Sequence, residues 1–183
     1  MKTSKRPSQL AKNASGLHKH VGSLLTSMKS LKGFEIRQEY PVKKVNPEFK
    51  SGREKFDWVI LGARIVVECH GEQHYKPVCF GGIDKEQAKK NLISVQARDE
   101  EKQAAAHDAG WTYVVVRYDE ENITEEMLYD KIKTSLACDI VNRSLGFLTK
   151  IAETQKIEKK KGKTKWPSKK IPSRPFSKKM HRS

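Results

Sequence analysis

Cysteine is scarce in this chain of 183 residues, and Cys69, Cys79 and Cys138 form no CxxC pair. An odd number at irregular spacing argues against a disulfide framework and fits a reducing cytoplasm. No run approaches the ~18 apolar residues that a membrane span needs, so no membrane partner is expected. The N-terminus is basic but no apolar stretch follows it, so no signal peptide is expected either. Internal repeats are absent. Acids are missing from two places. Residues 16 to 31 contain none, and between Lys156 and Ser183 the single acid is Glu158.

That second gap shapes the charge. The chain carries a net charge of +15, and 12 Lys or Arg with one acid after residue 155 account for +11 of it, leaving +4. A strongly basic segment favours a polyphosphate partner through counterion release. The expected partner is double-stranded DNA. A solubilising or membrane-surface role is the alternative for such a segment. No small-molecule ligand is expected.

Periodicity predicts the elements. Residues 1 to 15 read as a basic arm. Leu17, Val21, Leu24, Leu25, Met28 and Leu31 recur at helical spacing, and Gly33 ends that helix. Phe34, Ile36, Gln38 and Tyr40 alternate with Glu35, Arg37 and Glu39, as in a half-buried strand. Residues 42 to 53 read as a basic loop. Two apolar strands follow, then a loop to Asp84. Asp84 caps a long helix, with Gln87 at the capping-box position, that reaches Ala109. Trp111 to Tyr118 reads as a buried strand. A last helix starts at Thr124 and extends as far as Leu148. The order α-β-β-β-α-β-α implies an α/β fold, a small mixed sheet with helices on its faces. The domain spans residues 16–155, and 156–183 form a basic tail that cannot bury a core and is expected to be disordered without a partner.

The richest stretch runs from Phe56 to His70. Gly62 suits the first central position of a type II′ hairpin, where φ is positive. With Leu61 paired to Arg64, counting outward sets Asp57 opposite Glu68, and His70 joins them on one face. Facing carboxylates repel unless a cation lies between them, and a hard divalent ion such as Mg²⁺, with Mn²⁺ as substitute, binds through oxygens. The pattern points to metal-dependent hydrolysis of nucleic acid.

These residues also carry a resemblance. An Asp strand followed by Glu-x-basic, here Phe56-Asp57 and Glu68-Cys69-His70, resembles the PD-(D/E)xK nuclease superfamily, with His70 where the family usually has lysine. The continuation Gly71-Glu72-Gln73-His74-Tyr75, Arg98-Asp99 and Gly110-Trp111 resembles the branch of the very short patch repair endonuclease and the EDxHD homing endonucleases. The resemblance covers residues 16–118. It implies a restriction-endonuclease-like core and a DNA endonuclease of phage or mobile-element type. Its shared elements map onto Asp57, Cys69-His70 and Asp99. The family's opening-helix acid has no match, and His18, His20 or Glu39 are the candidates to replace it. The zinc-site cysteines of the repair enzyme are also missing. Two further readings stay open: an inactive nuclease fold that only binds DNA, and a nuclease acting on branched or mismatched substrates. The chain acts as a monomer or a homodimer in the cytoplasm on this reading.

The chemistry assigns roles. Asp57 is the first metal ligand, and Glu68 is a second ligand or orients a metal-bound water. His70 is a general base if neutral or a cationic stabiliser if protonated. His74 is the second histidine candidate, and Asp99 orients a histidine or a water. Each has an ordinary reading: salt bridges for Asp57 and Glu68, core packing for His70, a loop hydrogen bond for His74, and solvent exposure for Asp99, His18 and His20. Cys69, His70, His74 and Cys79 form an alternative zinc set of no standard spacing. Lys43, Lys44, Lys50, Arg53 and Lys55 form one basic cluster for the DNA backbone. Lys159, Lys160, Lys161, Lys163, Lys165, Lys169 and Lys170 form another, with Trp166 for base stacking.

Overall fold

Ser15, the last residue of the expected basic arm, caps the first helix: its side chain accepts a hydrogen bond from the His18 amide at 3.1 Å. The computed structural model describes residues 14–120 and 122–161. In chain order the elements are α1 (Gly16–Ser27), β1 (Ile36–Pro41), α2 (Val42–Val45), β2 (Lys55–Ile60), β3 (Ile65–His70), α3 (Lys85–Asp108), β4 (Thr112–Arg117) and α4 (Glu125–Lys161). The strands form one mixed sheet in the order β1-β2-β3-β4. β1, β2 and β3 pair antiparallel, and β4 joins β3 in parallel after the α3 crossover.

Two apolar layers sandwich the sheet. On one face Val21 and Leu25 of α1 and Leu128 and Ile132 of α4 meet Trp58, Ile60 and Val67. On the other, Val42 and Val45 of α2 and Ala105 and Ala106 of α3 meet Phe56, Val59, Val66 and Tyr113. Each large side chain buried there contributes about 1.5–3 kcal/mol. Close approach needs Gly22, because a Cβ there would lie 2.1 Å from the Trp58 ring.

The expected basic loop 42–53 opens with α2, a single helical turn whose Val42 and Val45 are buried. A four-residue segment carries too little periodicity to be seen in sequence. The α3 cap forms, with Asp84 Oδ1 accepting from the Gln87 amide at 2.7 Å. The Gln87 side chain does not close the box, since it donates to Asn91 at 2.9 Å. Thr124 caps α4 through the Met127 amide at 3.2 Å. That helix runs to Lys161 rather than ending near Leu148. The chain divides into two compact units, Met1–Val141 and Asn142–Ser183. The sheet and its flanking elements belong to the first; in the second the described residues 142–161 continue α4. Among the described residues no helix is long and apolar enough to cross a membrane.

The β2–β3 hairpin keeps its expected register but not its turn. Trp58 faces Val67, Val59 faces Val66, and Ile60 faces Ile65, the pairing that counts back to Asp57 opposite Glu68. Positive φ, however, falls on Arg64 (53°) and not on Gly62. Gly62 serves close approach instead: a Cβ there would meet the Phe34 ring at 3.0 Å.

Candidate active site

One departure from strand alternation decides the site. The β1–β2 ladder passes over the pair Glu39 and Asp57, and Glu39 adopts φ 50°. Before it, Ile36 packs on the α1 side, and after it Tyr40 packs on the α3 side, although both sit at even positions. Opposite, Phe56 faces α3 while Trp58 faces α1. Asp57 thereby turns toward α1, and the expected single face of Asp57, Glu68 and His70 is replaced by two sites.

The first site lies on the α1 side. Asp57 Oδ1 lies 3.6 Å from His18 Nδ1, beyond a good hydrogen bond. Its Oδ2 accepts from the Cys69 amide at 2.7 Å. His18, Asp57 and Cys69 offer three ligand atoms, all within 4.8 Å of one another, that could hold a metal ion. His18 is only 5% exposed, so its expected solvent exposure does not hold. Trp58 fixes it, packing its ring against the imidazole at 4.9 Å with the planes tilted 41° and donating to the His18 carbonyl at 3.2 Å. Burial opposes the Asp57 charge, but the His18 ring, the Cys69 amide and Lys102 outweigh it and hold the carboxyl below its usual range. Burial, with Asp57 and Glu68 nearby, pushes the Cys69 thiol up.

The second site lies toward α3. His74 Nδ1 meets Asp99 Oδ2 at 2.6 Å, and both are 18% exposed, so Asp99 is not a free surface acid. His70 stacks on His74 with ring centres 4.2 Å apart and planes 12° apart. Its Nδ1 meets the Tyr75 hydroxyl at 3.3 Å. Burial, with His74 beside it, pushes His70 down to about 4, against the pull of Asp99 and Asp57. A neutral ring at neutral pH favours a base or packing role for His70 over a cationic one. His70, His74, Asp99, Arg117 and Lys131 border an open cleft of about 540 Å³. Arg117 is braced by Asp119 at 3.0 Å and covers the Tyr75 ring, and Lys131 is braced by Glu120 at 2.9 Å.

Glu68 lies between them and is taken. Its Oε2 accepts from Lys102 Nζ at 2.8 Å, and its Oε1 is buried without a hydrogen-bond partner. Burial pushes Glu68 up to about 8; Lys102 opposes this and the Asp57 charge adds to it. Among the described residues two groups of three could hold a metal ion, His18–Asp57–Cys69 and His70–His74–Asp99, and neither includes Glu68. Sequence reasoning missed Lys102, which sits in the charge-rich run from Arg98 to Lys102 that reads as solvated. The available signal was helical spacing, since Asp99, Lys102 and Ala106 share one face of α3 with the buried Ala105 beside them.

The remaining candidates scatter. Glu39 pairs with Lys55 at 3.5 Å and joins neither cluster. His20 bonds the Ile123 carbonyl at 2.8 Å. The zinc alternative is divided, with Cys69 on the α1 side, His70 and His74 toward α3, and Cys79 exposed. Lys43, Lys44, Lys50, Arg53 and Lys55 are all solvent-accessible, with Lys50 and Arg53 on the loop before β2 and Lys55 at its start. Lys159, Lys160 and Lys161 fall in α4, whereas Lys163, Lys165, Trp166, Lys169 and Lys170 lie outside the described residues. No protein-family model matches the chain, and no curated protein matches it.

Proposed function

We propose that this chain is a metal-dependent DNA endonuclease of the PD-(D/E)xK type, in the homing or phage branch, that hydrolyses phosphodiester bonds. The observation that carries the reading is the His74–Asp99 pair at 2.6 Å on the wall of an open cleft. With Nδ1 engaged by Asp99, Nε2 of His74 is the nitrogen left to take a proton from an attacking water. His74 thus becomes the base, and His70 the ring stacked beneath it. Asp57 is the carboxylate best fitted to a divalent ion such as Mg²⁺: its charge is favoured and its side chain is 25% exposed. Mg²⁺ binds through one or two carboxylates and keeps several waters. Such an ion supplies charge neutralisation at the phosphate. Lys102 stands beside Glu68, where the family's motif has its lysine two residues further along the strand.

A second reading, an inactive fold that only binds DNA, is favoured by the Glu68–Lys102 pair, which leaves Glu68 3% exposed. One assay separates the two. The purified chain is incubated with duplex, branched and single-stranded DNA in Mg²⁺, and in chelator. Chelator-sensitive cleavage of one substrate is expected. Binding without cleavage of any of them selects the inactive fold. Deleting the chain after Glu158 is expected to weaken DNA binding and to lower the slope of log K against log salt by about 0.9 for each phosphate no longer neutralised. An unchanged slope would assign DNA binding to the basic residues around Lys43–Lys55 alone.

A further inference from the structure

We infer that His18, Asp57 and Cys69 form a site for a borderline transition-metal ion of the Zn²⁺ or Co²⁺ class, held by nitrogen, oxygen and sulfur. The inference shares only Asp57 with the proposed function and names the metal that its surroundings select.

Three elements bring the ligands together. His18 comes from α1, Asp57 from β2 and Cys69 from β3, and their donor atoms fall within 4.8 Å of one another. Donors around 2.0–2.3 Å from a tetrahedral ion lie about 3.3–3.8 Å apart. The 3.6 Å between His18 Nδ1 and Asp57 Oδ1 is long for a hydrogen bond and fits that edge. Nδ1 is thus the nitrogen that faces Asp57, with Nε2 on the far side of the ring. The supports are rigid. The Cys69 amide orients Asp57 at 2.7 Å, and Trp58 clamps His18 from ring and carbonyl. Outer contacts of this kind set ligand orientation in metal sites.

The donor set decides the class of ion. Mg²⁺ on Asp57 would fill the rest of its octahedron with waters and leave the imidazole and the thiol unused. Imidazole and thiolate suit Zn²⁺ and Co²⁺ better. With three protein ligands and a partly exposed Asp57, a fourth position stays open to water, as in catalytic sites rather than closed structural ones.

The test uses Co²⁺ as probe on the full chain without DNA. The reference protein carries Cys79→Ser and Cys138→Ser, so that Cys69 is its one thiol. Titration is expected to raise a near-ultraviolet thiolate-to-cobalt charge-transfer band and visible ligand-field bands that excess Mg²⁺ does not erase. Adding Cys69→Ser should remove the first band. His18→Gln should weaken Co²⁺ binding by at least the ~10–100-fold that follows removal of an outer partner of a metal ligand. X-ray absorption of the Zn²⁺-loaded reference protein should show a sulfur shell at about 2.3 Å, a readout that needs no further variant. A charge-transfer band that survives Cys69→Ser, or a shell of nitrogen and oxygen alone, overturns the site. Mg²⁺-dependent cleavage with no Co²⁺ binding overturns this site and leaves the nuclease reading standing. Co²⁺ binding through Cys69 with no DNA cleaved supports the site and removes the nuclease reading.

Discussion

The two sides of β3 treat neighbouring residues differently. Cys69 points to a site assembled from three distant elements against the apolar α1 layer. His70, one residue on, points to a site made from the adjoining loop and α3, open to a cleft. On the α1 side a carboxylate is held charged beside an imidazole and a thiol, an arrangement suited to a cation. Toward α3 a histidine is held by an acid, an arrangement that suits a proton and that, with His70, could also hold a metal ion. Glu68 and Lys102 fill the space between them as a buried pair. Alternation along β3 thus sends Cys69 and His70 to different clusters, and the break opposite Glu39 sends Asp57 to the first of them.

Asp57→Asn breaks the cation side most directly. The change is nearly isosteric and removes the charge, so cleavage in Mg²⁺ should fall by ~10³-fold or more, because a metal's charge stabilisation is worth several kcal/mol. Single-turnover cleavage checks it, with DNA binding retained. Wild-type rates in the variant would move the metal away from Asp57.

The proton side is tested by His74→Ala, which should lower the rate about 10²–10⁴-fold. Its pH–rate profile should lose the acid limb. His70→Ala should cost less, since His70 has no acid partner. The reverse order would return the base to His70.

Lys102→Met probes the pair between the sites. Burial raises Glu68 from the ordinary 4.5 to about 8. The folded state therefore holds a proton that the unfolded state has released across that window, so stability falls as pH rises from 4.5 to 8. Once Glu68 is ionised, above that window, removing its cation should cost about 3–5 kcal/mol. Below about 8 the proton replaces the lysine and the cost shrinks. Thermal melts of both proteins across pH check this, and Glu68→Gln should flatten the curve. A destabilisation independent of pH would show that Lys102 acts through packing.

Gly22→Ala should have the smallest effect. A Cβ 2.1 Å from Trp58 forces α1 outward, at a cost of about 1–3 kcal/mol. His18 moves with α1, so metal affinity should fall while the His74–Asp99 pair is untouched. Denaturant melts and a metal titration of the same variant sharpen the contrast. Equal damage to both sides would show that the sites are mechanically coupled.

Most elements were legible because their signals are local. Asp84 and Thr124 cap the helices expected of them, and the β2–β3 register is the one counted outward from Leu61 and Arg64. The short α2 was not legible, because four residues cannot establish a period. His74 and Asp99 were legible as candidates but not as a pair, since 25 residues of chain separate them. Lys102 was hidden by its charged neighbours, whereas His18 was legible as a candidate to replace the missing helix acid, and it lies beside Asp57.

Sequence alone determined the α/β order, the Asp57–Glu68 register and the residue types available for chemistry. These follow from hydrophobic period and turn residues, which act over a few positions. Tertiary structure decided which face each group serves. A single positive φ at Glu39, opposite Asp57, reverses strand alternation and sends Asp57 to His18 rather than to Glu68. The packing of α3 then supplies Lys102 to Glu68 and Asp99 to His74. Periodicity reports which residues can share a face only while the strand stays regular, and here it is irregular at the candidate metal ligand itself.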